Sequence, residues 1–195
     1  MSREAYHEYF QGYMEVVEQN KKGIERIKRV YVADYYRAEM SNEEWRRSKV
    51  LYLVCCLGAV LLFVISAWQN LPCNKTLYAG LTQSLTVLPL LVWSFTIGEY
   101  LLSARNLTIG KFQAVHDAMV KRSMAGTVFL GLCIIAVLAG MILQRDTAIW
   151  KEMGVIIGYL AGALLCFLTG ILEKRRGYIR VENPVEAPED SIMIR

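Results

Sequence analysis

The chain has 195 residues, of which 54% are hydrophobic and 21% charged, with a net charge of +4 and a mean hydropathy of +0.29. That apolar content excludes a disordered polar chain, and the length suits one transmembrane bundle with short connections and no second folded domain. His7 and His116, the only histidines, stand far apart, which excludes a zinc site or metalloprotease motif and leaves no metal or cofactor to expect.

From the N-terminus, residues 3 to 37 place Tyr6, Phe10, Tyr13, Val17, Ile24, Ile27 and Tyr31 at heptad spacing, opposite Glu8, Glu15, Glu18, Lys22, Glu25 and Arg29. This pattern predicts an amphipathic helix about 50 Å long at its rise per residue, forming a cytoplasmic element over 1–40. Its stripe must be buried against another copy, a partner protein, the membrane surface or the bundle's own ends. Ser41-Asn42-Glu43-Glu44 then reads as a capping box that starts a new helix, running through Trp45, Arg46, Arg47 and Lys49 into the membrane.

Four charge-free stretches follow, Val50 to Trp68, Tyr78 to Gly98, Ser123 to Leu143 and Met153 to Leu172, each of 19 to 21 residues. At 1.5 Å per residue each covers a hydrocarbon core about 30 Å thick. The expected fold is therefore an all-α, four-helix transmembrane bundle over 41–176, with no cleavable signal and with the first span as targeting signal. In the middle loop Thr108 is a plausible N-cap for a short interfacial helix in which Ile109, Phe112, Val115 and Met119 share a face while Lys111, Gln113, Asp117 and Lys121 look away. Residues 177–195, with Pro184, Pro188 and several carboxylates, read as a flexible cytoplasmic tail.

Of 22 basic residues, ten precede Val50, four lie in 103–122 and five follow Leu172, against one in 69–76 and two in 144–152. Nineteen on one side and three on the other, by that count, put both termini and the middle loop in the cytoplasm. The compactness suits a bacterial plasma membrane. The excess charge reads as topology and contact with membrane lipids, without nucleic acid as partner. Cys55, Cys56, Cys133 and Cys166 fall inside spans, and Cys73 is expected to face outward.

Within the fourth span Gly154, Gly158, Gly162, Cys166 and Gly170 recur every four residues, a small-residue row that permits close backbone approach. Each step advances about 40° on a 3.6-residue helix, so the row winds. Gly126, Cys133, Ala136 and Gly140 of the third span offer a matching side. The row either zips these two spans within one subunit or builds a homo-oligomer. The second span is the most polar, with Gln83, Thr86, Ser94 and the helix-opening Pro89. It either lines a path or supplies interhelical hydrogen bonds. Glu99 falls near the cytoplasmic headgroups, and Glu173 and His116 read as interfacial or surface groups.

No glycine-rich phosphate loop, no Gly-x-Ser-x-Gly and no buried acid, base and nucleophile set is visible. The sequence therefore points to a non-enzymatic protein that acts by assembly, as an accessory or scaffold subunit, through the N-terminal stripe and the glycine row. The competing reading is a small oligomeric transporter or channel with Gln83, Thr86, Pro89, Ser94 and Glu99 along the path.

Overall fold

The computed structural model describes residues 12–19, 25–143, 149–183 and 192–193. In chain order they form β1 (Tyr13–Gln19), β2 (Glu25–Tyr31), β3 (Tyr35–Ala38), α1 (Asn42–Trp68), a 3₁₀ turn at Pro72–Lys75, α2 (Leu77–Leu102) and β4 (Asn106–Leu107), then α3 (Ile109–Leu143), α4 (Ile149–Lys174), β5 (Tyr178–Val181) and β6 (Ile192–Met193). Four helices are long and apolar enough to cross a membrane. α1 starts at the capping box: the Ser41 amide donates to Glu44 Oε2 at 2.7 Å and the Glu44 amide to Ser41 Oγ at 3.2 Å.

The bundle is apolar outside, and inside it packs large residues such as Trp93, Ile97, Leu130 and Tyr159 together with small and hydroxyl-bearing ones. Leu53, Leu57, Leu61, Leu88, Phe95, Ile135, Ile157 and Leu164 are exposed on its flanks, while Ser66, Thr86, Thr96, Ser123 and Thr169 are buried. Such a surface is tolerable only against lipid, because a water-soluble fold does not expose so continuous an apolar belt. Exposed Trp68, Tyr78 and Trp150 sit at the belt's edge on one side, where amphipathic rings favour the headgroup level. α4 packs most extensively on α3 and also along α1, α2 packs on α3, and α1 touches α2 more lightly.

The glycine row is spent inside the subunit, and it winds as its four-residue step requires. A Cβ at Gly158 would collide with Ser66 Oγ of α1; one at Gly162 would lie 3.5 Å from Ala59 O. Farther along, the row has turned to α3: Cys166 Sγ would lie 3.4 Å from a Cβ at Gly126, and a Cβ at Gly170 would collide with Ser123 Oγ. Gly154 alone in the row meets open space. Ala136 is buried. Gly140 admits the 3₁₀ turn, since a Cβ there would lie 3.3 Å from Cys73 O.

The N-terminal region departs from the heptad reading. Instead of one amphipathic helix, β1 and β2 pair antiparallel with Tyr13 opposite Tyr31, Glu15 opposite Arg29 and Val17 opposite Ile27. The physical reason is composition: Tyr, Val and Ile pack well on a pleated surface, and cross-strand pairs stabilise it. Here the Tyr13 and Tyr31 rings meet edge to face at 5.0 Å and Arg29 Nε bonds Glu15 Oε1 at 3.0 Å. Gly12 opens the hairpin at φ +85°, where a Cβ would lie 2.7 Å from that of Ala33. The stripe is thereby divided: Tyr31 is buried, Tyr13 half-buried and Ile27 exposed, and Tyr6, Phe10 and Ile24 lie outside the described residues.

Two further expectations are corrected. The middle-loop helix is not separate, because Ile109 to Leu143 is one helix of 35 residues with a π turn at Gln113–Asp117. Its faces are as the sequence implied: Val115 and Met119 are buried, and Lys111, Gln113, Asp117 and Lys121 exposed. Nor is the segment after residue 176 a simple tail, since β5 pairs with β3 and β6 with β1, giving sheets of order β4-β3-β5 and β2-β1-β6. The first sheet joins the entry to α1, the entry to α3 and the exit from α4. All three segments therefore lie on one side of the bundle.

Intrasubunit packing of the row sets a clear contrast. Gly158→Leu forces α1 away from α4 and should destabilise the detergent-purified protein by about 1–3 kcal/mol, the usual cost of overpacking. Gly154→Leu should leave its thermal midpoint within about 2 °C of the parent's, as surface changes do. Thermal unfolding of the two variants side by side measures the difference.

Candidate functional site

On the sheet side, where α1, α2, α3 and α4 end or begin, an ion pair is buried among aromatic rings. Glu173 is fully buried, and its Oε2 lies 2.8 Å from Arg176 Nη1. Tyr52 OH donates to Oε2 at 2.9 Å and Tyr178 OH to Oε1 at 2.6 Å. His116 Nδ1 lies 3.0 Å from Oε1. A carboxylate offers about four acceptor positions, so Glu173 is saturated. The Arg176 guanidinium stands 5.5, 5.2 and 5.3 Å from the ring centres of Trp45, Tyr52 and Tyr100. It also donates to Tyr100 OH, which meets Ser48 Oγ at 2.7 Å.

The partners arrive from several elements, with Trp45, Ser48 and Tyr52 all on α1. The capping box aims the first turn of α1, which carries Trp45 inward. Tyr100 comes from the last turns of α2, whose end carbonyls Leu101 O and, beyond it, Ser103 O accept from Lys49 Nζ at 2.8 and 2.7 Å. The π turn of α3 presents His116, whose ring stacks on Phe112 at 5.0 Å. Strand pairing of Tyr178 with Ala38 brings that phenol back over Glu173. Burial, then the Glu173 carboxylate, raises the Tyr178 phenol above its ordinary value. Burial opposes the charge on Arg176, but the same carboxylate together with the surrounding phenols of Tyr52, Tyr100 and Tyr178 outweighs it and raises the guanidinium's pKa.

At the opposite end the connection between α1 and α2 folds inward. Cys73, expected to face outward, is fully buried, because Gly140 leaves room for its turn. Its amide donates to Glu152 Oε1 at 3.3 Å. Glu152 is buried as well, and its Oε2 has no hydrogen-bond partner among the described residues. Asn74 Nδ2 donates to Ser66 O at 2.8 Å and Gln69 O at 2.9 Å, while Gln83 Nε2 reaches Asn74 Oδ1 and Tyr159 OH, both at 3.0 Å.

The polar residues of the second span thus divide. Gln83 belongs to the far-side network. Thr86 Oγ1 lies 2.6 Å from Thr82 O and 3.2 Å from Cys133 Sγ. Ser94 Oγ donates to Leu90 O at 2.7 Å and accepts from Cys56 Sγ at 3.4 Å. Pro89 lies inside the unbroken α2, and Glu99 is exposed apart from them. Gln83, Thr86 and Ser94 are therefore engaged in bonds between or within helices. Sequence reasoning placed Glu173 and His116 at the surface. The available signal was the pair Phe112 and His116 at helical spacing together with Glu173 and Arg176 three apart, yet only tertiary packing shows that the two sets meet.

Replacing Glu173 by Gln leaves Arg176 buried without its counter-charge and should cost about 3–5 kcal/mol, read as a loss of thermal stability in detergent. At high pH the sign is set by Tyr178. The fold keeps a phenolic proton that the unfolded chain releases above about pH 10, so stability falls as pH rises there. Tyr178→Phe should flatten that alkaline fall, measured by unfolding across the pH range. The chain matches no family model, and no curated protein or solved structure is significantly similar to it.

Proposed function

We propose that this chain is a non-enzymatic, multi-pass protein of the plasma membrane that acts by assembly, as an accessory or scaffold subunit of a membrane complex. The observation that carries this reading is the saturation of Glu173 by Tyr52, Tyr178, His116 and Arg176. A carboxylate with every acceptor position occupied is a fastener and a poor base, and it holds the sheet-side ends of four helices as one platform. The basic excess on that side supports a cytoplasmic platform. From the platform stands the hairpin of β1 and β2, in which β2 lies at the edge of the sheet among the described residues. An edge strand invites pairing with another chain.

A second reading, a small oligomeric transporter, is favoured by Glu152 Oε2, buried without a hydrogen-bond partner among the described residues, at the far end of α4 near the network of Gln83. An intramembrane acid with a free oxygen is the kind of group that transport uses. The two readings separate on one preparation. Mild-detergent purification of the full chain and of a version beginning at Tyr35, which keeps β3, is followed by mass analysis of what co-elutes. A stoichiometric partner retained by the full chain and lost by the shorter one, with thermal stability of the bundle preserved, is the outcome expected for assembly. A partner-free homo-oligomer whose solute flux in proteoliposomes falls at least tenfold in Glu152→Gln would overturn it.

A further inference from the structure

A cleft of about 650 Å³ opens on the sheet side between the end of α2 and the first turns of α3, lined among others by Glu99, Leu102, Ser103, Lys111, Val115 and Arg122. It holds two cations and one anion that do not neutralise one another. Neither Glu99 nor Lys111 nor Arg122 takes part in an ion pair among the described residues. Arg122 is steadied by a hydrogen bond from Nη1 to Thr96 Oγ1 at 2.5 Å, and among the described residues the other donors of its fork are uncommitted. Opposite charges that line one cleft without pairing suit a ligand that carries both signs.

The depth of the cleft says where such a ligand comes from. Glu99 and Leu102 belong to the last turn of a membrane-spanning helix, the level of lipid headgroups. Leu88, Phe95 and Leu102 are 68%, 72% and 90% exposed and stand on the same helical face as Glu99 by their spacing of three, four and seven. They form an apolar track leading from the charged cleft down the flank of α2. Phosphate is held by a guanidinium fork and an ammonium, and a primary ammonium by a carboxylate.

We propose that this cleft is a binding site for an aminophospholipid of the phosphatidylethanolamine type. Arg122 and Lys111 receive the phosphate, Glu99 receives the primary ammonium, and an acyl chain lies along Phe95 and Leu88. The Glu173 cluster takes no part in this site, whereas Tyr13 of β1 also lines the cleft; lipid retention is therefore read on the full-length chain, and it requires no protein partner.

Native mass spectrometry of the full-length protein in mild detergent, titrated with phosphatidylethanolamine, phosphatidylglycerol and phosphatidylcholine of identical acyl chains, tests it. The expected result is preferential retention of phosphatidylethanolamine. Glu99→Gln, a change at an exposed position, should lower that retention at least tenfold while phosphatidylglycerol is retained as before, and Arg122→Gln should lower both. Equal retention of the three lipids, a preference for phosphatidylglycerol, or no effect of Glu99→Gln would overturn the proposal. Displacement by soluble glycerophosphoethanolamine at the same concentration as the lipid would overturn the lipid as occupant. Unchanged thermal midpoints in both variants verify that binding, and not folding, has been altered.

Discussion

A single buried carboxylate organises the sheet side of this protein. Removing Glu173 and Arg176 from water costs several kcal/mol per ion, and their attraction offsets that only when the remaining hydrogen-bonding capacity is met. Two phenols and an imidazole complete Glu173, and three aromatic rings surround Arg176. Ring faces attract a cation without demanding hydrogen bonds of their own. Because its partners come from α1, α2, α3 and β5, the pair, local in sequence, is not fully satisfied until all of them have arrived. It therefore specifies one arrangement of four apolar helices that would otherwise slide against each other in lipid.

Packing below that cluster follows from the absence of a hydrophobic force between helices in lipid. Contact must come from close approach and from hydrogen bonds within the bundle. The small residues of α4 provide the first, turning from Ser66 and Ala59 on α1 toward Gly126 and Ser123 on α3. Thr86, Ser94 and Gln83 of α2 contribute to the second. At the far end the turn carrying Cys73 sinks against Gly140, which buries the one cysteine outside the spans and gives Glu152 a backbone donor. A thiol so placed is not available for a bridge to another chain.

Where residues act through near neighbours, the sequence was a sufficient guide. Ser41 and Glu44 cap a helix because they are three apart, and the exposed and buried faces of 109–121 follow from a period of 3.6. The N-terminal stripe misled for a related reason. Tyr13, Val17, Ile24, Ile27 and Tyr31 fit a heptad, but the same aromatic and β-branched residues suit strands. Gly12 at positive φ and the contact of Tyr31 OH with the amide of Ile109 at 3.0 Å favour the hairpin. Glu173-Lys174-Arg175-Arg176 looked like a solvated anchor because composition does not distinguish a residue facing lipid headgroups from one facing the bundle axis. In the structure Lys174 and Arg175 are exposed while Glu173 is buried.

Four spans, the start of the first, the side on which the basic residues gather and the winding of the glycine row were determined by the sequence alone, since each depends on length, local spacing or the partition of charge along the chain. Which helices touch, that the row is consumed within the subunit, that the N-terminal region pairs as strands, and that His116, Glu173, Arg176 and Tyr178 converge were decided only by tertiary structure. Those outcomes depend on meetings between residues as far apart as Tyr52 and Arg176, and no local pattern in a chain encodes the partner that a buried charge will find.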